Sequence, residues 1–545
     1  MERRSDVSRG RAFCFDGART AVAAICLALS ACSSAGGFFC PNQNCGVSDD
    51  EQARIIALAL PDPVPSAPPD PTNRYADDAN ASALGKMLYH DTRFAGPSNQ
   101  LDALNRMMPF GRMPVGQNAA VGCVTCHSPG HAGADPAGSP ADVSVGAGWT
   151  FANGLSTFNA AFYDLHLWNG RADSLWAQAA NDNENALTTN GNRLNTAWLI
   201  AKLYAGPYAT AFPDYPLPMD MAMADVQAMV GADGQCALSG SACPASCRSV
   251  TSTTTGATGC WPRFPLQGKP GKTAGCQTGD AKEPFGDAFD CMDPADQMAV
   301  TRVLVNFGKA IAAYERQLIT GRSPFDRWVD DLRAGNGDAS IAISDDAKRG
   351  ARLFVGKAGC SDCHYTSLLS DNRLHNVGVG QRGAGVPTEA DCPAGTVCNC
   401  AGVSDSNPGG PNNCIPWGAR DGIGKLQKNA FNRMSAWSDQ PSDPSMGGYL
   451  TVDVTTIPKG TYRTPSLRNV ALTAPYMHDG AIATLADVVW HYNQAVPDES
   501  LPGEPAPSFR PLYLAEDEEY ALVEFLESLT GDPPAASVIA PPTLP

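Results

Sequence analysis

Apolar residues recur at helical spacing along much of the 545-residue chain, whereas strict alternation of apolar and polar residues is rare. The strongest pattern lies in residues 297–318, where apolar positions return every three or four residues on one face. Further helices are predicted at residues 84–90, 167–175, 193–230, 344–354 and 515–529. The pattern therefore predicts a mainly α-helical protein.

Three segments lack this periodicity. Residues 33–75 are rich in Ser, Gly and Pro, residues 231–292 in Cys, Gly, Ser and Thr, and residues 381–448 in Gly, Pro and Asn. The first composition is typical of a tether, and the other two indicate long loops inserted into a helical body.

The pattern C-x-x-C-H occurs twice, as CVTCH at 123–127 and CSDCH at 360–364. On a helical turn, residues i, i+3 and i+4 share one face, so both thiols can form thioethers to a haem whose iron the histidine binds. A zinc site or a redox pair of cysteines is the alternative, but a histidine follows both pairs in an exported chain. We therefore predict two covalent c-type haems, held by Cys123, Cys126, Cys360 and Cys363, with His127 and His364 as axial ligands.

The first 31 residues have the features of an export signal. Five arginines precede an apolar core at residues 21–29, which is too short to span a bilayer. The core ends in Leu29-Ser30-Ala31-Cys32, which resembles a bacterial lipobox. We therefore expect a lipid on Cys32 that anchors a periplasmic protein to a membrane, the outer membrane being favoured. The alternative is an ordinary signal peptide, with Cys32 in a disulfide.

The charge and the cysteine count restrict the partners and the compartment. A formal net charge of −17 argues against nucleic acid and favours cationic or neutral partners. Of the 19 cysteines, 12 remain outside the signal, the anchor and the haem motifs, enough for six disulfides in an oxidising compartment. Their pairing stays open.

Several longer motifs follow one another in the order found in one known family. They are CVTCH, SVG at 144–146, LWNGRADSLWAQA from Leu167, SPFD at 323–326, CSDCH, LHNVGVG from Leu374, and RTPSLRNVALTAPYMHDGAIATLADVVWHYN from Arg463. Over residues 80–530, apart from the two insertions, the chain resembles the bacterial dihaem cytochrome c peroxidases and their MauG-type relatives.

The resemblance implies two mainly helical cytochrome c domains, of which the first meets peroxide and the second handles electrons. The predicted division is a lipoprotein signal at 1–31, a tether at 32–79, an N-terminal haem domain at 80–335 with the insertion 231–292, a C-terminal haem domain at 336–531 with the insertion 381–448, and a Pro-rich tail at 532–545. The closing helix of the second domain is expected to return to the first.

The resemblance also bears on the first iron. Conventional family members place a distal histidine directly after the SVG-like stretch, and the matching residue here is Ala147. The first haem is therefore expected to be open to peroxide. His131 and His166 remain alternative ligands.

At the second haem, conventional members use a methionine in the helix after HDG, whereas MauG-type proteins use a tyrosine. Counting along this helix puts Tyr492 at that position. A tyrosinate is a hard anionic donor that lowers the iron potential, whereas methionine raises it. Met477 and His491 are the alternatives, although His491 points about 100° away from its neighbour on a helix.

Three further residues match catalytic positions of the family. Trp168 corresponds to the tryptophan between the haems, although a buried core tryptophan is the ordinary alternative. Gln178 corresponds to the amide of an acid–amide pair, but the acidic position falls on Thr188. Glu184, four residues earlier, is the candidate substitute for moving the proton during O–O cleavage.

The resemblance implies a calcium ion between the domains and polar contacts to the haem propionates. The matching calcium ligands are the side-chain oxygen of Asn153 and the carbonyls of Thr473 and Pro475, an oxygen-only set that suits Ca²⁺. The residues expected near the propionates are His375, Arg468 and His478.

The implied function is a dihaem peroxidase in which hydrogen peroxide reacts at the first haem and high-valent iron is shared with the second. The reductant would be a small redox protein or an oxidisable residue of a protein substrate. A conventional cytochrome c peroxidase with a His/Met second haem and a non-enzymatic electron-transfer lipoprotein are the alternatives.

Overall fold

The computed structural model describes most of the chain from residue 48 onward. The residues outside the description are 1–47, 99–116, 136–142, 149, 151, 219–220, 222–235, 237–241, 245–246, 252–257, 271–285, 291, 381–417, 442–443, 499–500 and 502. The predicted export signal and the lipid anchor at Cys32 lie among them. No helix in the described part is long and apolar enough to cross a membrane.

The described chain is mainly helical, as predicted. The helices are α1 (Asp49–Ala57), α2 (Ala79–His90), α3 (Cys123–Cys126), α4 (Leu175–Glu184), α5 (Arg193–Leu203), α6 (Ala205–Ala211), α7 (Gly286–Asp290), α8 (Pro294–Glu315), α9 (Pro324–Arg333), α10 (Asp345–Val355), α11 (Ala419–Lys428), α12 (Leu485–Gln494), α13 (Glu516–Glu527) and α14 (Ala536–Ile539). The short strands are β1 (Cys247–Thr251), β2 (Thr258–Pro262), β3 (Leu374–His375) and β4 (Tyr462–Arg463), paired antiparallel as β1–β2 and β3–β4.

The helices form two hydrophobic cores. Helix α8, the long helix that the periodicity predicts, is the centre of the first core and packs against α2, α4 and α5. Its start is defined by the Asp293 side chain, which accepts from the backbone N–H of Ala295, and by Pro294 in the first turn. The second core joins α1, α9, α10 and α13. Helix α9 therefore packs with the second core, earlier in the chain than the predicted boundary at residue 335.

The start of the described chain packs in the second core and its C-terminal tail contacts the first core, which corrects two predictions. From residue 48 the predicted tether is not an extended spacer, because α1 packs in the second core and buries Ile55 and Leu58. The closing helix α13 packs on α10 and α12 rather than on the first domain. The Pro-rich tail makes that return instead, and the Tyr314 hydroxyl donates to the Val538 carbonyl at 3.2 Å.

The described parts of the two insertions are structured. In the first, disulfides link each strand of the β1–β2 hairpin to a cysteine that precedes it, Cys247 to Cys236 and Cys260 to Cys243. In the second, α11 packs against the turn before α4 so closely that a Cβ at Gly422 would lie 1.8 Å from the Asn169 carbonyl oxygen. The buried Lys309 ammonium also bonds Asp439 at 2.7 Å, which fixes the second insertion to α8.

The two domains contain an internal repeat at an offset of 310 residues. Helix α4 (Leu175–Glu184) corresponds to α12 (Leu485–Gln494) residue for residue, and both follow a Ser or Thr cap, Ser174 or Thr484. Positive φ angles also recur at this offset, in Asn159 and Asn469, Leu167 and Met477, and Gly170 and Gly480. The isolated bridges His166–Ala172 and Tyr476–Ile482 repeat it again.

The helix predicted at residues 167–175 is wrong. Leu167 and Gly170 have φ angles of 66° and 69°, so this stretch forms a turn. The helix begins only at Leu175, where the Ser174 hydroxyl accepts from the Ala177 N–H. The apolar spacing reflects burial of the turn between the domains rather than a helical face.

Candidate haem sites

Each C-x-x-C-H motif borders a cavity. The first has a volume of about 480 Å³ and lies between α2, α3, α4 and α8. The second has a volume of about 280 Å³ and is lined by β4, α12 and the chain around Cys360. The sequence motifs that begin at Leu167 and Arg463 thus end in α4 and α12, the helices that line these two cavities.

The first motif presents its histidine in one orientation. Helix α3 is a single turn over Cys123–Cys126, and the His127 backbone N–H bonds the Cys123 carbonyl at 2.9 Å. His127 Nδ1 lies 2.8 Å from the Leu155 carbonyl oxygen, to which it donates. This bond leaves Nε2 as the nitrogen available to a metal. The Tyr89 hydroxyl donates to the His127 carbonyl at 2.6 Å and further fixes the residue.

The second motif repeats this arrangement on a 3₁₀ turn over Cys360–Asp362. His364 Nδ1 lies 2.5 Å from the Leu369 carbonyl oxygen, so its Nε2 is likewise available. All four motif cysteines are free thiols, and burial raises the pKa of Cys360 to about 12. Thiols in pairs beside an oriented imidazole fit covalent haem c at both cavities.

The first cavity offers no conventional second ligand from the described residues. Its described lining contains no histidine other than His127, no methionine and no tyrosine. His131 is turned toward the Ala474 carbonyl at 3.2 Å, and His166 is buried outside the cavity, where desolvation lowers its pKa to about 3. Ala147 packs in a small apolar cluster beside the cavity.

The second cavity contains two of the three candidate ligands. Tyr492 and Met477 both line it, together with His364. His491 instead places Nε2 2.9 Å from the Val377 carbonyl and does not line the cavity. Burial raises the pKa of the Tyr492 phenol, so a metal that binds the phenolate oxygen must displace its proton. Tyr492 stays a prediction as the sixth ligand, with Met477 as the alternative.

Trp168 lies between the two sites, because its side chain lines both cavities. Its indole N–H donates to the Asn153 carbonyl at 2.9 Å, which fixes the ring. The ring centroid lies 6.4 Å from that of His478, the residue at the corresponding position of the repeat. The equivalent residues of the two domains therefore meet at the interface.

The structure separates the two predicted members of the acid–amide pair. Glu184 accepts from the Arg193 guanidinium at 2.6 and 3.0 Å and from the Arg193 backbone N–H, so its carboxylate is held away from Gln178. The Gln178 amide instead donates to Asp182 at 2.6 Å. The choice of Glu184 is therefore corrected. Asp182, one helical turn after Gln178, was recognisable by its i, i+4 spacing.

Arg468 lines the second cavity, but its hydrogen bonds argue against the predicted contact with a haem propionate. All five of its N–H groups are directed to protein oxygens, and the side chain is 1% exposed. It makes a two-pronged ion pair with Asp326 at 2.7 and 3.0 Å and also donates to the oxygens of Leu58, Ser367 and Ser323. Arg463, five residues earlier in the same motif, is the alternative for this contact.

That residue, Arg463, lines the second cavity and is 6% exposed. Its guanidinium donates to three neutral oxygens, of Leu167, Asn372 and Thr464, at 3.3–3.4 Å, and lies 4.7 Å from the centroid of the Tyr163 ring. Burial lowers its pKa. A buried cation without a carboxylate partner in the described chain suits a haem propionate.

His375 and His478 both line the second cavity, as the expectation for the propionates requires. The Asp371 carboxylate lies 2.8 Å from His375 Nε2 and raises the pKa of that imidazole to about 10. The His478 ring stacks on Tyr462 at a centroid distance of 3.8 Å. Their contact with a propionate stays a prediction.

Glu315 is a residue that the sequence analysis missed. It lines the first cavity at the end of α8, is 4% exposed, and its Oε2 has no hydrogen-bond partner among the described residues. Burial raises its pKa to about 8. The signal was present in the sequence, because Glu315 continues the buried stripe of Phe307 and Ile311 at intervals of four residues.

The predicted calcium ligands do not fit a cation in this arrangement. The Asn153 side chain donates its N–H to the Pro475 carbonyl at 3.0 Å. Its oxygen faces the opposite way and accepts from Ser144 and Gly154. Calcium requires converging oxygens, so an amide nitrogen directed at the carbonyl argues against it.

Comparisons with known proteins agree with this geometry. The family model described as di-haem cytochrome c peroxidase matches residues 79–230. The cytochrome-c peroxidase IdrP1 of Denitromonas iodatirespirans is 26% identical over 529 residues, which cover 94% of this chain and 92% of that protein. The methylamine utilization protein MauG of Methylorubrum extorquens is 29% identical over 258 residues, 47% of this chain and 50% of that protein. IdrP2 of Denitromonas iodatirespirans is 34% identical over 235 residues, 43% of this chain and 50% of that protein. Residues 79–230 therefore carry a di-haem cytochrome c peroxidase domain, and the chain as a whole is similar to cytochrome-c peroxidases and MauG proteins.

Proposed function

We propose that this protein is a hydrogen-peroxide-dependent dihaem oxidoreductase that reacts with peroxide at the first haem and draws electrons through the second. The haems would supply the redox chemistry, storing oxidising equivalents as high-valent iron. The protein residues would bind the haems, set the sixth ligands and position the electron path. The reductant would be a small redox protein or an oxidisable protein substrate.

The absence of a conventional second ligand in the described lining of the first cavity carries this proposal. An iron held there by His127 alone retains an open position, which peroxide requires. The second site supports a different role, because Tyr492 and Met477 both lie in its cavity. The open iron of the first haem would bind peroxide, and the six-coordinate iron of the second would transfer electrons.

The position of Trp168 supports electron sharing between the two sites. It borders both cavities, and its indole ring is held by one hydrogen bond to Asn153 and by contact with His478. Electrons that move between the haems would cross this ring. The division into peroxidatic and electron-transfer domains, with the exported and lipid-anchored location, belongs to the same proposal.

A conventional peroxidase with a His/Met second haem is the second candidate. Met477 lines the second cavity and has the unusual φ angle of 69°, which turns it away from regular backbone geometry. This candidate differs from the first only in the sixth ligand of the second haem. A methionine at that position would give the second haem a higher potential.

The test is a low-temperature EPR spectrum of the ferric protein before and after one equivalent of hydrogen peroxide. We expect one high-spin and one low-spin signal, both of which decrease on addition of peroxide. In Trp168→Phe the low-spin signal of the second haem should decrease more slowly, whereas Trp490→Phe, at a side chain 56% exposed on α12, should behave like the wild type. Two low-spin haems that do not react with peroxide would contradict the proposal and favour the non-enzymatic electron-transfer lipoprotein.

A further inference from the structure

The internal repeat gives Asp182 a counterpart at the other haem. At the offset of 310 residues that relates α4 to α12, Asp182 corresponds to Tyr492 and Gln178 to Val488. Tyr492 lines the second cavity with His364, and Asp182 lines the first with His127. Because the caps, the turns and the helices correspond, the same helical position lines the cavity in both domains.

Hydrogen bonds hold the Asp182 carboxylate within the first cavity. Gln178 Nε2 donates to one carboxylate oxygen at 2.6 Å, and the Arg171 guanidinium lies 3.3 Å from the other. The Asp182 backbone carbonyl accepts from the hydroxyls of Thr188 and Thr189 at 2.5 and 2.9 Å, which fixes the end of the helix. Each carboxylate oxygen keeps a lone pair for a ligand in the cavity.

The other charged groups around the cavity do not replace Asp182. Glu184 is bound to Arg193. Glu315 lies on α8, and burial raises its pKa, which favours the protonated form. Lys425, which α11 of the second insertion brings into the lining, has a pKa lowered to about 8 by burial. Arg171 is the cation in direct contact with the carboxylate.

We propose that Asp182 is the distal acid–base residue of the first haem, in place of the carboxylate that is missing at Thr188. This inference rests on the proposed function. Asp182 would accept the proton of the peroxide oxygen next to the iron and return it to the outer oxygen. The O–O bond would then break, the outer oxygen would leave as water with both peroxide hydrogens, and the two haems would supply the two electrons taken up by the inner oxygen.

Cyanide association with the ferric protein tests the position without any turnover. Cyanide arrives as HCN and must lose its proton as it binds iron, so a distal base accelerates its binding. In Asp182→Asn, which keeps the size of the side chain, we expect the association rate at the first haem to decrease about 100-fold. Asp182→Glu should retain most of the rate. Asp164→Asn, which removes a charge from a side chain 80% exposed, should match the wild type.

The possible results decide the inference separately from the proposed function. An unchanged or faster rate in Asp182→Asn would overturn it, because the carboxylate would then be remote from the iron or would block it. An equal loss in Asp182→Glu would also overturn it, since a carboxylate would then not be the requirement. If Asp182→Asn binds cyanide slowly but the wild type consumes no peroxide, the inference is supported and the proposed function is rejected. The haem content and the low-spin signal of the second haem report that each variant is folded.

Discussion

Replacing Asp326 by asparagine is expected to lower the free energy of unfolding by about 3–5 kcal/mol, because it leaves the Arg468 guanidinium buried without its counter-ion. The side chains of both partners are almost fully buried, at 0% and 1% exposure. Asp326 also accepts from the Leu60 backbone N–H at 2.8 Å and from Ser323, which caps α9. One carboxylate thus joins the start of the described chain, the α9 cap and the RTPSLRN segment.

Denaturant unfolding of the haem-loaded protein measures this change, with the second haem domain followed by its absorbance. The matched control is Asp517→Asn, which removes a carboxylate bonded to Arg349 at 2.6 Å but 66% exposed. We expect the control to have a much smaller effect on the free energy of unfolding, since solvent screens an exposed pair. Equal effects of the two substitutions would show that the Arg468–Asp326 pair is not a buried structural centre.

Replacing Tyr492 by phenylalanine is expected to convert the second haem from six-coordinate low-spin to five-coordinate high-spin and to raise its potential. The substitution removes the phenol oxygen but retains the ring that fills the cavity beside Phe509. Because axial ligands tune haem potentials over roughly 0.8 V, losing an anionic oxygen should raise the potential on the order of 0.1 V or more. EPR and a spectroelectrochemical titration measure the two changes.

Met477→Leu distinguishes the two possible ligands. If Tyr492 is the ligand, Met477→Leu leaves the low-spin signal in place and Tyr492→Phe removes it. The reverse pattern would assign the ligand to Met477 and favour the conventional peroxidase. Tyr513→Phe, at a side chain 82% exposed, is the control for the loss of a tyrosine.

The sequence was most informative where the chemistry is local. The two C-x-x-C-H motifs define their sites within five residues, so spacing alone predicts which thiols and which imidazoles act together. Helices α8 and α10 follow from apolar periodicity and from caps at Asp293 and Ser344, which also depend only on neighbouring residues.

Predictions failed where a side chain has a choice of distant partners. Both Glu184 and Asp182 lie near Gln178 along the chain, but Arg193 removes Glu184 from the pair. Arg463 and Arg468 stand five residues apart in one motif, and only the buried Asp326 decides which of them is neutralised. Local spacing makes both residues of each pair candidates, and the partners that decide between them lie elsewhere in the chain.

By itself the amino-acid sequence determined the helical class, the two haem attachment motifs and the resemblance to a known family, because these depend on periodicity and on residues that are neighbours in the chain. Only the tertiary structure held Glu184 to Arg193, brought Lys425 of an insertion to the lining of the first cavity, and exchanged the chain ends between the cores. Those features depend on burial and on pairing between residues far apart in sequence, which a one-dimensional pattern does not specify.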